Sequence, residues 1–151
     1  MNIVLMMLRA TRPCSLDDMK AVAKPRWIRK GYDGLTFFGH IITHTQQEAE
    51  AFNQRSDSFK NHEMIHLYQA RACCNSWFVF YVRYGWYWLM ACRYRKKLKN
   101  AGYLLNPFEM EAYANMHNLH YLDDKPHGAA GWRRYAAMPL SERLKAYEKT
   151  T

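Results

Sequence analysis

Read by its apolar and polar positions, the chain is mostly helical, with one stretch that favours a strand. Ser15-Leu16-Asp17-Asp18 looks like a cap opening a short helix that must stop before Pro25, and Gly31 to Gly34 is turn material. Leu35 to Thr43 is β-prone and predicts a strand or a small hairpin about Gly39. Thr45-Gln46-Gln47-Glu48 has the spacing of a capping box, so a helix starts there and breaks near Ser56-Asp57-Ser58. A second helix is expected over about Phe59 to Cys74 and an aromatic-rich third over Trp77 to Cys92, ended by Ala101-Gly102. Asn106-Pro107 opens another helix, and Ser141 to Glu148 reads as a short terminal one beginning near Pro139. The fold class is therefore mainly α within α+β, with a small strand element ahead of the second helix. At 151 residues the chain is one domain by length. Residues 1–30 read as an N-terminal arm, and residues 124–151, after the flexible-looking His127 to Gly131, as a C-terminal extension.

The second helix carries His62-Glu63-Met64-Ile65-His66, the H-E-x-x-H pattern. A helix turns about 100° per residue, so side chains four apart return to nearly the same direction one turn on. His62 and His66 can then share one metal ion. A catalytic Zn²⁺ takes three protein ligands and leaves a fourth position to water, and Glu63 would stand beside that water as general base. Three fixed residues, two of them histidine, should recur by chance in well under roughly one in a hundred chains of this length. Without a metal, the same residues would be a solvated helix face.

A third ligand must come from elsewhere. In the helix after Pro107, Glu109, Ala112, Tyr113 and Met116 form a mostly apolar stripe, and Glu111, Asn115 and Asn118 a polar one, so Glu109 is the carboxylate expected to face inward. A glutamate three residues after an Asn cap could instead close a capping box. His117 and His120 lie further along and are alternative ligands, His120 continuing the stripe of Glu109. The extended metzincin pattern would need glycine at 69 and histidine at 72; Gln69 and Ala72 stand there and exclude it. Cys73 follows His62, His66 and Gln69 along one helical face and reads as a small buried residue.

Asn61-His62-Glu63-Met64-Ile65-His66-Leu67-Tyr68-Gln69 with Phe108-Glu109-Met110-Glu111-Ala112-Tyr113-Ala114-Asn115 resembles a family of short bacterial proteins with a gluzincin-type zinc peptidase core, over roughly residues 31 to 121. The resemblance implies a zincin-like helical core and a Zn²⁺ site ligated by His62, His66 and Glu109. It also places Tyr113 where gluzincins carry an aspartate that steadies the first histidine, and a neutral phenol does that less strongly. Glu111 could take over the task, but its helix face argues against it.

Net charge of +9 raises the question of polyanions, yet no nucleic-acid motif accompanies the basic clusters, which read as solvated faces. Four cysteines without C-x-x-C spacing, and Ile3 to Leu8 too short for a signal-peptide core, lead us to expect a reduced, cytoplasmic protein. Trp77 to Cys92 falls short of a membrane span and has Arg83 in its middle, so a core helix packed on the H-E-x-x-H helix is expected. Its Trp and Tyr beside the basic run Arg93 to Lys99 also suit peripheral membrane contact through 77–99.

The leading expectation is a zinc-dependent metallohydrolase acting on peptide or protein, with Glu63 as base and a further donor among Tyr113, His117, His120 and Arg133. Glu111 and Gln69 are candidates to support the ligands. Residues 35 to 43 could pair an extended substrate along a strand edge, with His40 and His44 bordering the cleft. The alternative is a non-catalytic module, zinc-stabilised or metal-free, that binds a protein partner or an anionic membrane surface through its aromatic and basic segment.

Overall fold

The computed structural model describes residues 21–28, 35–37, 39–54 and 56–149; the short helix expected after Ser15 and the turn at 31–34 lie outside them. The chain is mainly helical with a small sheet, as the patterning predicts. β2 (Leu35–Phe37) and β3 (His40–Thr43) form the expected hairpin, with Gly39 at φ 78° in its turn, a left-handed geometry that glycine adopts without a Cβ penalty. A strand not anticipated, β1 (Ala21–Ala23), pairs in parallel with the other side of β3, Ala21 opposite Ile41, giving the order β1-β3-β2. Three residues paired to a partner twenty positions away leave no local signature. Central β3 has both edges paired, and neighbouring Ile41 and Ile42, which point to opposite faces, are both buried, so both of its faces are covered.

α1 (Gln46–Gln54) opens on the predicted capping box: the Glu48 N–H donates to Thr45 Oγ1 (3.2 Å) and the Thr45 N–H donates back to Glu48 Oε2 (3.0 Å). Its Ala49 and Phe52 pack into the core shared with the sheet. α2 (Ser58–Ala72) starts where Asp57 accepts a hydrogen bond from the Lys60 N–H, and ends in a reversal through Cys74 and Asn75, both at positive φ. Ser76 then caps α3 (Trp77–Ala91). Trp77, Phe80, Tyr84 and Tyr87 turn inward on α3; Phe80 and Phe108 lie edge to face at 4.9 Å between centroids. Among the described residues no helix is long and apolar enough to cross a membrane.

Ala101-Gly102 does not simply end the aromatic helix, as expected; a 3-10 turn (Cys92–Tyr94) does so earlier, and α4 (Ala101–Leu104) is a separate turn of helix. Burial of Ala101 and Leu105 against Ala91 favours that return. α5 (Pro107–Asn115) begins as predicted, with Asn106 Oδ1 accepting from the Phe108 N–H while its amide donates to the Tyr84 carbonyl of α3.

The segment expected as a C-terminal extension closes the core. α6 (Trp132–Ala137) inserts Trp132, 4.6 Å from the Phe108 ring, and α7 (Leu140–Glu148) buries Arg143, whose guanidinium donates to the carbonyls of Leu105, Ala136 and Met138. The connection 127–131, expected to be flexible, is seated on α2. The Ala129 N–H donates to the Tyr68 carbonyl (3.0 Å), and a Cβ on Gly128 would stand 2.4 Å from that same oxygen. With φ at 108° as well, this position admits only glycine. Gly128→Ala is expected to destabilise the protein by about 1–3 kcal/mol in urea unfolding; an unchanged midpoint would show that the connection is not held there.

Candidate metal centre

α2 and α5 cross so that His62 and His66, one turn apart, face Glu109 in the first turn of α5. The three are almost fully buried, at 5%, 6% and 3% exposure. Their ligand atoms converge: His62 Nε2 is 3.2 Å from His66 Nε2 and 3.3 Å from Glu109 Oε2, and His66 Nε2 is 3.5 Å from Glu109 Oε1. Neighbouring ligands around a tetrahedral ion with bonds of about 2.0–2.1 Å stand about 3.3–3.4 Å apart. The spacing of the triad therefore matches the face of such a tetrahedron. Glu109 Oε2 is buried and accepts no hydrogen bond, which leaves a lone pair aimed among the imidazoles. The donor set of two imidazoles and a carboxylate could hold a metal ion.

The supports of the triad come from four elements. His66 Nδ1 meets Gln69 Oε1 at 2.8 Å, and the Gln69 amide donates onward to the Phe108 carbonyl (2.9 Å) and to Glu111 Oε2 (2.8 Å). Because the Gln69 amide nitrogen is committed to two acceptors, its oxygen must face His66, so Nδ1 carries a proton and Nε2 is the nitrogen left to bind an ion, on losing its own proton. Glu111 is wholly buried and also accepts from the Tyr121 hydroxyl (2.7 Å) and the N–H groups of Gly131 (2.8 Å) and Trp132 (2.9 Å). Tyr84 on α3 donates to Glu109 Oε1 at 2.7 Å. Beside His62, the Asn61 amide donates to the carbonyls of Met116 (2.9 Å) and Asn118 (3.0 Å), tying the end of α5 to the start of the H-E-x-x-H motif.

Electrostatics follow from burial against ion pairing. Burial alone would lower the His66 pKa, but the Glu109 carboxylate, and more weakly Glu63 and Gln69, hold it up to about 9. Burial would raise the Glu109 carboxyl; the two imidazoles, His66 foremost, keep it well below the usual carboxylate range. Burial and the Glu109 charge push the Tyr84 hydroxyl up, so it remains a donor. Glu63 is half-buried, and its charge also helps to raise His66, Tyr84 and Tyr113.

Glu109 faces inward, as its stripe predicts, with its oxygens turned to Tyr84 and the histidines instead of closing a capping box. Other expectations are revised. Glu111 is not exposed, because Tyr121 and the C-terminal segment cover its stripe. The end of α5 at Asn115 takes His117 and His120 out of the site; both are exposed, and His120 pairs with Asp123 at 2.8 Å. Tyr113 packs its ring edge-on to His62, 4.6 Å between centroids, and its hydroxyl meets that of Tyr103 (3.1 Å) instead of an imidazole. Arg133 donates weakly to the Ala72 carbonyl, away from the triad. Cys73 is a buried core residue whose thiol burial pushes up.

Neither the families of known proteins, nor the curated proteins, nor the solved structures contain a match to this chain. The centre is thus described by its own geometry.

Removing the Glu111 carboxylate would strand the four donors that meet on it in a buried place. Glu111→Ala is expected to cost several kcal/mol, about 1–3 per donor left unsatisfied. Thermal unfolding checks this, and a melting temperature equal to wild type would refute the assigned role.

Proposed function

We propose that this protein is a zinc-dependent hydrolase whose substrate is a peptide or protein. The observation that carries the reading is the convergence of His62, His66 and Glu109 at tetrahedral spacing, with Glu63 adjacent to the first ligand. A bound Zn²⁺ would supply Lewis acidity and bring the pKa of its water toward about 7. Glu63 accepts the proton of the attacking water as its oxygen adds to the carbonyl carbon, then delivers that proton to the departing amine as the C–N bond breaks. Tyr84 fixes one oxygen of Glu109, leaving the other for the ion, and Gln69 fixes the ring of His66. The gluzincin resemblance supports the same division of roles.

One observation favours a second reading. All three ligands are nearly closed off from solvent, the condition of a metal that holds a fold together. On that reading the ion joins α2 to α5 and the protein acts through its surface.

Glu63→Gln separates the two: it is expected to keep its zinc by elemental analysis and to lose about 10²–10⁴-fold in turnover of casein or short peptides. Wild-type protein that binds zinc stoichiometrically and cleaves nothing would support the structural reading. Glu109→Ala is expected to lose the ion, and Gln69→Leu to weaken its affinity by about 10–100-fold in chelator competition. Unaltered zinc affinity in both variants would remove the assigned ligand set.

A further inference from the structure

α3 has two faces, and only one is used by the fold. The inward face carries Trp77, Phe80 and Tyr84. On the other, Phe78 is 71% exposed, Val82 56%, Trp86 59% and Leu89 58%. These positions recur at intervals of four, four and three and fall within about 100° of arc, the stripe of an amphipathic helix. Most outward residues of a helix are polar because water solvates them; here the outward face has no polar side chain from Phe78 to Leu89, only Gly85 between the apolar ones. Contiguous apolar surface of this kind marks an interaction site.

The adjoining charge identifies the partner. Between Glu63 and Glu109 the sequence contains no acidic residue at all but seven lysines and arginines. Five of them, Arg93, Arg95, Lys96, Lys97 and Lys99, follow directly from the C-terminal end of the stripe and are exposed. A groove on a protein would need apolar contact along α3 and acidic contact beyond it in one rigid register. A bilayer of anionic lipid offers both without register: headgroup phosphates for the cations and the acyl boundary for the apolar face. Trp86 and the partly exposed Trp88, with Phe78, are side chains suited to that boundary. At 15 residues α3 is too short to span a bilayer, so it would lie in the plane of the surface.

We infer that the outer face of α3 and the basic run 93–99 form one docking surface for an anionic membrane. Because Tyr84 reaches Glu109 from the opposite side of the helix, the docking face and the metal centre lie on opposite sides of α3. The inference is independent of whether the centre is catalytic.

The test is co-sedimentation of the full chain with vesicles of phosphatidylcholine alone or with about 30% phosphatidylglycerol. Binding is expected to be at least about tenfold tighter to the anionic vesicles and to weaken with salt. Trp86→Ser combined with Leu89→Ser, and separately Lys96→Glu combined with Lys99→Glu, should each lower it by about tenfold or more, with circular dichroism unchanged. Absence of binding to anionic vesicles overturns the inference. So does binding by both double variants as tight as that of the wild type, or a concentration-dependent dimer, abolished by the Trp86/Leu89 variant, in a protein that ignores vesicles; the stripe would then be a contact between copies of this chain.

Discussion

Four donors from three separate stretches of chain meet on the carboxylate of Glu111: the Gln69 amide from α2, the Tyr121 hydroxyl from the loop after α5, and the N–H groups of Gly131 and Trp132 at the start of α6. A buried carboxylate is tolerated only when its lone pairs are filled, so the three stretches must be brought together for α5 to sit where it does. Glu109, two residues earlier on the same helix, inherits that placement. Gln69 carries it across to His66. The geometry of the triad is in this sense set one layer further out than the ligands themselves.

α3 contributes differently. Its inward aromatics pack on Phe108, Tyr84 stacked and Phe80 edge-on, and that contact holds the first turn of α5 against α2 from behind. The Tyr84 hydroxyl then converts a packing residue into a ligand support, since it reaches Glu109 from the same aromatic layer. Packing and polar support share one helix face, and the other face is left to whatever lies outside the protein.

The convergence of His62, His66 and Glu109 is legible in sequence because the i,i+4 spacing of the histidines and the Asn106-Pro107 helix start are local signals. The capping box at Thr45 and the helix start near Asp57 follow from the same kind of signal. Strand β1 did not, since Ala21 to Ala23 is defined only by its pairing with residues 41–43. Glu111 reads as a polar-stripe residue because the cover that buries it comes from residues 121–132, outside its own helix. Tyr84 carried half a signal: its place among inward aromatics was readable, but a hydroxyl meeting a carboxylate 25 residues later was not.

The seating of Gly128 on the Tyr68 carbonyl has a consequence for the order in which the protein is built. During synthesis the H-E-x-x-H helix leaves the ribosome first, and the glutamates of α5 follow some forty residues later. Glu111 has two of its four donors only once the hook at 128–132 has emerged and closed over α2. The histidines are thus made early, and the polar layer behind the helix that faces them is completed late.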